Sequence, residues 1–318
     1  MQKRGVQRQP DRKRSVTTTT FLVIGSLALL GLFVILPIIL VFAFSGTAPV
    51  NTGNVALIPL SGVLLTEPDT DSFFESGLGS RDIVSLINEA ATDDAIQAIV
   101  LEINSPGGSP VATDEVAEAI KNAGKPTVAV IREVGASGAY WVATATDYII
   151  VNRMSVTGSI GVIGSYLEFA DFLTRYNITY RRLVAGKYKD IESPYKEMTR
   201  EELSLVQAQL DTLHAIFINE VATNRNLSPE HVTRIATGYV YLGQEAVDLG
   251  LVDELGGIET ARSYLEGVLE QPVVFQEYRH EPSLADYFFG RAQTLAEAIG
   301  HGIGARLNAK PNAPYLLT

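Results

Sequence analysis

The sequence predicts an α/β fold with a largely parallel sheet, preceded by one transmembrane helix. From residue 55 onwards, short apolar runs typical of strands alternate with longer helix-like runs, and this alternation indicates repeated βαβ units. Upstream, residues 21–44 are almost entirely apolar, and no charged residue lies between Arg14 and Glu67. A helix of that length can cross a hydrocarbon core of about 30 Å, because it rises about 1.5 Å per residue.

The basic N-terminus predicts the orientation of this anchor. The first fourteen residues carry six basic side chains and one acid. Because Lys and Arg remain on the cytoplasmic side, everything after Ser45 is expected outside the cytoplasm. The apolar stretch is too long for a typical signal peptide, so we expect an uncleaved anchor, although small residues at its end leave cleavage open. The predicted divisions are a cytoplasmic tail (1–20), a transmembrane helix (21–44), a linker (45–54), a main domain (55–270) and a C-terminal extension (271–318).

Composition excludes several classes of function. The net charge is −11, and the chain after residue 14 carries 19 basic and 35 acidic side chains. This excess of acidic side chains argues against nucleic acid as a partner, because binding phosphates needs clustered Lys and Arg. The chain has no Cys, which excludes thiol nucleophiles and zinc–thiolate sites, and its four His have no metal-like spacing. We therefore expect neither a metal site nor a cofactor.

The first half of the body is predicted to lead into one central turn. In chain order we expect one bent or two short strands over Val55–Leu65, a helix over Arg81–Ala91 capped by Ser80, a strand over Ile96–Ile103, a helix over Ala112–Ala123 and a strand over Thr127–Ile131. The turn that follows, Gly135–Trp141, contains Ser137 among small residues.

The second half is predicted to be mainly helical. We expect a strand over Tyr148–Asn152, a helix over Leu167–Tyr176 and a strand over Tyr180–Val184. A long helix to Asn224 follows, opened by a Thr199–Glu202 capping box. After it we expect helices from Pro229, over Gly243–Leu249 and over Ile258–Leu269, and a strand over Val273–Tyr278. Further helical stretches are predicted over Leu284–Phe289 and Gln293–Ile299. The long helix has an apolar stripe formed by Leu203, Val206, Leu210, Leu213, Phe217 and Val221, and His214 beside it is interpreted as a packing residue.

Ser137 is a candidate nucleophile. A serine at a strand-to-helix turn lies beside the unpaired N–H groups and the positive end of a helix. The alternative is a packing turn whose small residues let a helix approach the sheet, and the turn by itself favours that alternative. The general base that accepts the proton of Ser137 could be one of the four His, although none of them is near Ser137 in sequence. It could also be a lysine in its neutral form, such as Lys187 or Lys189.

Each remaining part of such a site also has a simpler interpretation. Lys187 and Lys189 could be solvated loop charges. Gly108 and Gly138 could present backbone N–H groups to an oxyanion. Alternatively, the run around Gly108 could be an ordinary Pro-Gly turn.

Taken together, five runs resemble the signal peptide peptidase A family, peptidase family S49. They are Asn104–Ser109, Ala136–Tyr140, Thr157–Val162, Gly186–Asp190 and Tyr241–Asp253, and the resemblance covers about residues 55–265. It implies a crotonase/Clp-protease-like fold and a Ser–Lys dyad. The family nucleophile falls on Ser137, its general base on Lys189 rather than Lys187, its lysine-orienting hydroxyl on Ser159, and its oxyanion N–H groups on Gly108 and Gly138.

The resemblance also implies a setting and an assembly. It implies an anchored endopeptidase of a bacterial cell membrane that cleaves signal-peptide remnants or other apolar peptides without a cofactor. The short form of the family builds its dyad between neighbouring subunits, so a ring-like homo-oligomer is implied. Two other hypotheses stay open: a catalytically silent scaffold that binds partner proteins, and an acyl-CoA enzyme, against which the extracytoplasmic location argues. The apolar C-terminus could form a final strand or dock in a neighbour's groove.

Overall fold

The computed structural model describes residues 53–67 and 78–279, together with residues 25, 29–33 and 35–36. The chain divides into two compact units, Met1–Thr52 and Gly53–Thr318. In the first unit, the described residues are all helical; the remainder of the predicted transmembrane helix over 21–44 lies outside the described residues. Among the described residues, no helix has both the length and the apolar character needed to span a membrane. The helices predicted after residue 280 also lie outside the described residues.

The second unit is built on a mainly parallel sheet. Its strands are β1 (Val55–Ser61), β4 (Ala98–Ser105), β5 (Thr127–Ala136), β6 (Tyr148–Val151), β7 (Val156–Gly158), β8 (Val240–Leu242), β9 (Glu254–Leu255) and β10 (Phe275–Glu277). The order is β10–β1–β4–β5–β6–β9, with β7 beside the end of β5 and β8 antiparallel to β7. A separate parallel pair joins β2 (Leu64–Leu65) and β3 (Leu78–Gly79). The predicted α/β fold with a largely parallel sheet is confirmed.

Eight helices connect and cover the strands within residues 78–279. They are α1 (Ser80–Thr92), α2 (Pro110–Lys121), α3 (Gly138–Thr144), α4 (Ala170–Arg175), α5 (Arg200–Asn224), α6 (Pro229–Ile235), α7 (Gly243–Asp248) and α8 (Ile258–Leu269). The predicted capping box opens α5, because Thr199 Oγ1 accepts from Glu202 N–H while the Glu202 carboxylate accepts from Thr199 N–H.

Alternating strand residues bury both faces of the sheet. In β4, Ile99, Leu101 and Ile103 belong to the larger core beneath α1, α2 and α3. Ala98 and Val100 point to the opposite face, where the side chains of α8 complete a smaller core. This period-2 division is the one expected of a strand covered on both sides.

Strand β5 is longer than the sequence predicted. The prediction ended it at Ile131, where Arg132 and Glu133 interrupt the apolar run, but the strand continues to Ala136. Its first part pairs with β6 and its end pairs with β7. The extension delivers Ser137 directly from the end of a central strand.

Three predicted local features differ from the structure. Ser80 does not cap α1: it lies inside the helix, and its hydroxyl donates to the Glu115 carboxylate. Residues Tyr180–Val184 form no strand, and the helix predicted over Leu167–Tyr176 is reduced to α4. Most residues of both segments are exposed, and within the described part of the chain Tyr180–Val184 has no strand partner that would stabilise regular structure.

Candidate active site

Ser137 occupies a tight turn between a strand and a helix. It is the single residue between the end of β5 and the start of α3. Its backbone has φ 53° and ψ −127°, a conformation that residues other than glycine rarely adopt and that costs roughly 1–3 kcal/mol. Its N–H donates to the Gly158 carbonyl at 2.8 Å, which ties the turn to β7. A partly exposed serine held in such a strained turn has the geometry of a nucleophile.

Two backbone N–H groups converge beside this serine. A Cβ placed on Gly138 would lie 3.4 Å from the nitrogen of Gly108, so the two backbones are close neighbours. Gly138 is the first residue of α3, where an N–H has no partner within the helix. Within the described part of the chain, neither the Gly108 nor the Gly138 N–H donates to an acceptor. Both are therefore available to stabilise a negatively charged oxygen.

Close packing restricts both positions to glycine. A Cβ on Gly108 would lie 1.9 Å from the Leu64 carbonyl oxygen, and one on Gly138 would lie 2.2 Å from Thr113 Oγ1. Both neighbours come from outside the turn, since Leu64 belongs to β2 and Thr113 is a buried residue of α2. Neither residue is recognisable from the sequence, because nothing in an apolar run or a helical repeat signals a contact with a distant glycine.

An apolar cleft of about 330 Å³ opens next to Ser137. Its lining comprises Gly108, Pro110, Ser137, Gly138, Trp141, Gly161, Val162, Ile163, Leu210, Leu213 and Phe217. Trp141 and Phe217 stack with ring centroids 5.1 Å apart, so α3 and α5 meet at this cleft. The apolar stripe predicted for α5 thus has a second role, since part of it lines the cleft. A chain with apolar side chains can dock here through the hydrophobic effect.

A larger cleft, of about 490 Å³, lies near the N-terminus of α8 and includes Arg132, Glu133 and Met154. None of the predicted catalytic residues lines it. The smaller cleft is therefore the one that adjoins the predicted catalytic residues.

Ser159 lies beside Ser137 at the end of the neighbouring strand. Ala136 of β5 pairs with Gly158 of β7, and Ser137 and Ser159 are the residues that follow them. Ser159 also has a positive φ, 51°, and its hydroxyl is within a long hydrogen-bond distance, 3.4 Å, of the Gly238 carbonyl. The fold therefore brings Ser137, Gly108, Gly138 and Ser159 together.

Lys189, the predicted general base, is carried by a different segment of the chain. It lies exposed in the turn that precedes α5, and it is absent from the lining of the cleft at Ser137. Its side chain makes no hydrogen bond or ion pair with any residue in the described part of the chain. The predicted general base is thus exposed and is not among the residues that line the cleft at the predicted nucleophile.

Lys187, in contrast, is fully engaged by an acid. Its Nζ donates to both carboxylate oxygens of Glu201 at 2.7 Å. The hydrogen bond to Glu201 raises the pKa of Lys187 to about 12, with a smaller contribution from Tyr188. A lysine held in its charged form cannot accept a proton, so Lys187 is unsuited to act as a base.

An ion pair between Asp190 and Arg182 holds the turn that carries Lys189. Arg182 donates to the Asp190 carboxylate, with Nη2 2.8 Å from Oδ1, and also to the Lys187 carbonyl at 3.3 Å. The Arg182 guanidinium lowers the pKa of Asp190, so the pair remains ionised at neutral pH. The two ion pairs bracket Lys189 in sequence.

Comparison with known proteins gives a consistent set of matches. The model of peptidase family S49 matches residues 119–271. A Methanocaldococcus jannaschii protein named "Putative protease MJ0651" is 34% identical over 71% of this chain and 73% of its own length. "Putative signal peptide peptidase SppA" of Enterococcus faecium is 29% identical over 67% of this chain and 63% of its own. "Serine protease SPPA, chloroplastic" of Arabidopsis thaliana is 28% identical over 65% of this chain and 31% of its own.

Proposed function

Since the chain belongs to peptidase family S49, we propose that it is a serine endopeptidase that uses a Ser–Lys dyad on apolar peptides. One observation carries the proposal. Ser137 lies in a strained strand-to-helix turn, beside an apolar cleft and two N–H groups that have no acceptor among the described residues. This arrangement supplies a nucleophile, an oxyanion site and a substrate groove. The name of the Arabidopsis relative, a serine protease, supports the same reaction class.

The proposed reaction proceeds through an acyl-enzyme. The neutral amine of Lys189 accepts the proton of Ser137 Oγ while that oxygen bonds to the peptide carbonyl carbon. The N–H groups of Gly108 and Gly138 stabilise the carbonyl oxygen as it becomes negative, and losing one such donor costs about 3–4 kcal/mol in serine proteases. The C–N bond then breaks, and the leaving amine takes the proton from Lys189. Water, deprotonated by Lys189, then attacks the acyl carbon. The bond between that carbon and Ser137 Oγ breaks, Lys189 returns the proton to Ser137 Oγ, and the carboxyl product leaves.

The choice of base rests on charge and availability. Lys187 is held as a cation by Glu201, whereas the Lys189 amine has no acidic partner among the described residues. Ser159 lies beside the nucleophile and would orient the lysine amine with its hydroxyl once the lysine reaches the cleft.

The absence of Lys189 from the lining of the cleft supports a shared active site. We propose that the chain forms a ring-like homo-oligomer in which Lys189 of one subunit serves Ser137 of its neighbour. Exposed apolar side chains support a large subunit contact, since Leu183 is 95% exposed and Ile163 is 88% exposed in the single chain. Monomeric proteins rarely leave such a concentration of large apolar side chains in water.

The proposed substrates are signal-peptide remnants and other apolar peptides released in the membrane. The apolar cleft supports this substrate class, as does the name of the Enterococcus relative. We propose that residues 21–44 anchor the chain in a bacterial cell membrane, with the N-terminus cytoplasmic and a crotonase-like catalytic domain outside. The anchor would keep the enzyme close to its substrates.

Peptide cleavage by the full chain in detergent micelles tests the proposed chemistry. We expect Ser137→Ala to lower the cleavage of an apolar fluorogenic peptide by more than about a thousandfold, and to prevent labelling by a fluorophosphonate probe. Ser263→Ala is the matched control, because Ser263 is an exposed serine of α8 whose hydroxyl bonds only to its own helix. It should keep full activity.

Cleavage that persists in Ser137→Ala would contradict the serine mechanism. If the parent chain cleaves no peptide and takes no label, the scaffold hypothesis is favoured instead. Binding of acyl-CoA esters by that inactive chain would favour the acyl-CoA enzyme.

A further inference from the structure

The Gly107–Gly108 peptide group is held through its carbonyl oxygen. Leu64 N–H donates to the Gly107 carbonyl oxygen at 2.9 Å. A trans peptide group is planar, with its C=O and N–H pointing in opposite directions. The bond from Leu64 therefore directs the Gly108 N–H away from β2. On that side lies Gly138, whose added Cβ would be 3.4 Å from the Gly108 nitrogen.

Ser105 holds the other end of the same turn. It is the last residue of β4, it is fully buried, and its Oγ accepts the N–H of Gly107 at 3.1 Å. Among the described residues, this hydroxyl is the only acceptor for the Gly107 N–H. The hydroxyl thus satisfies a buried donor that would otherwise destabilise the turn.

The conformation of Gly107 makes this contact important. Gly107 has φ +102°, and a glycine populates positive and negative φ almost equally unless a contact selects one. Its position is also tightly surrounded, since an added Cβ would lie 2.7 Å from Gly138 N and 2.9 Å from Ser137 Cβ. Any rotation at Gly107 would therefore change both the direction of the Gly108 N–H and its distance from the nucleophile turn.

We propose that Ser105 is a positioning residue of the oxyanion site, whose buried hydroxyl fixes Gly107 so that the Gly108 N–H points toward the substrate oxygen at Ser137. The assignment rests on the proposed function. Ser105 does not touch the substrate; it acts through Gly107. Its effect should appear in the transition state, where the oxygen is negative, and much less in the binding of the ground-state peptide.

Steady-state kinetics of the full chain test this role. We expect Ser105→Ala to lower kcat by roughly ten- to a hundredfold, less than the loss of a complete oxyanion donor, while KM changes little. The affinity for a peptide boronate, whose tetrahedral adduct places an oxygen in the oxyanion site, should fall by a similar factor. Ser105→Thr keeps the hydroxyl and should restore most of kcat. Ser105→Cys keeps the volume with a weaker acceptor and should give an intermediate kcat, which provides a second measurement if the alanine variant does not fold.

The control is Ser155→Ala. Ser155 is another buried serine, and its hydroxyl bonds to the Arg132 carbonyl, away from Gly107. The positioning role would be overturned by any of three results. These are an unchanged kcat in folded Ser105→Ala, an equal loss of kcat in Ser155→Ala, or a change in Ser105→Ala that is confined to KM. The parallel Ser137→Ala measurement separates the two levels. If Ser137→Ala still cleaves the peptide, both the proposed function and this role of Ser105 are contradicted. If cleavage requires Ser137 but is unchanged in Ser105→Ala, only the role of Ser105 is contradicted.

Discussion

At position 138 the nucleophile turn has no space for a side chain. Gly138→Ala would place its Cβ 2.2 Å from Oγ1 of the buried Thr113. We expect the variant to lose about 1–3 kcal/mol of unfolding free energy through overpacking and to lose peptide cleavage, because the displaced backbone carries the oxyanion N–H. Urea unfolding and peptide turnover measure the two effects separately.

The double variant Gly138→Ala/Thr113→Ala identifies the cause. Removing Thr113 Oγ1 should recover part of the stability lost at position 138, which a double-mutant cycle reports as a coupling energy. The control is Gly267→Ala, an exposed site in α8 with no atom within 4 Å of the added Cβ. It should stabilise the chain by about 0.5–1 kcal/mol. No coupling between positions 113 and 138 would show that the clash is relieved elsewhere.

The two lysines before α5 should behave differently. We expect Lys189→Ala to abolish turnover and Lys187→Ala to keep most of it, because Glu201 holds Lys187 in its charged form with a pKa of about 12. A lysine base works only when neutral, so turnover should rise toward mildly alkaline pH. The pH–rate profile of the parent chain and the two variants measures this. Full turnover in both variants, or a maximum below neutrality, would contradict the assignment.

The residues that converge at Ser137 could be found from the sequence, but their environment could not. Glycine and serine at turns between strands and helices are local signals, and Gly108, Ser137 and Gly138 do lie together. Thr113 and Leu64 gave no signal, because their importance depends on backbone approaches between distant parts of the chain. Their roles became visible only through distances.

At the scale of elements, α5 combines a well-specified start with an incompletely buried stripe. The capping box at Thr199 and Glu202 was predicted from its spacing and is present. Of the predicted apolar stripe, Phe217 and Val221 are buried, whereas Leu203 is 58% exposed. The 3.6-residue period identified the apolar face correctly, but it cannot state whether the covering partner belongs to the same chain.

Glu202 makes the stability of the start of α5 depend on pH. Its carboxylate accepts from Lys196 Nζ at 2.7 Å and from Thr199 N–H and Oγ1 at 2.9 Å. These hydrogen bonds, the one from Lys196 first, lower the pKa of Glu202 from 4.5 to about 2. A carboxyl whose pKa is lower in the folded state stabilises the fold above its unfolded pKa and loses that effect as pH falls toward the folded value.

We therefore expect Glu202→Gln to unfold at a lower urea concentration than the parent chain at pH 7. The difference should shrink as pH falls from about 4.5 toward 2, because the parent carboxyl becomes protonated there. Glu230→Gln, at an exposed position of α6 with no ion pair among the described residues, is the control. A difference between Glu202→Gln and the parent that is independent of pH would contradict the electrostatic explanation.

At the scale of the whole molecule, the regular part of the fold follows from the sequence and the irregular part does not. The βαβ alternation predicted the parallel sheet because each buried strand is apolar on both faces. The segment Tyr180–Val184 carries two arginines among its apolar residues, and it is exposed and has no strand partner among the described residues. Propensity alone does not create a strand without a neighbouring edge. We infer that a second copy of the chain supplies the missing contacts.

Mixing two inactive variants tests that inference directly. If each active site combines Ser137 of one subunit with Lys189 of the next, an assembly of Ser137→Ala and Lys189→Ala chains contains interfaces where both residues are intact. Random mixing in equal amounts should restore about a quarter of the parent activity, because each of the two required residues is present with even odds in a closed ring with heterologous contacts. Peptide turnover after co-expression measures the recovery. A mixture of Ser137→Ala with Ser137→Ala/Lys189→Ala is the control and should stay inactive, since it contains no intact serine. Mixed assemblies as inactive as the separate variants would show that both residues must belong to one chain, and Lys189 would then have to move into its own cleft.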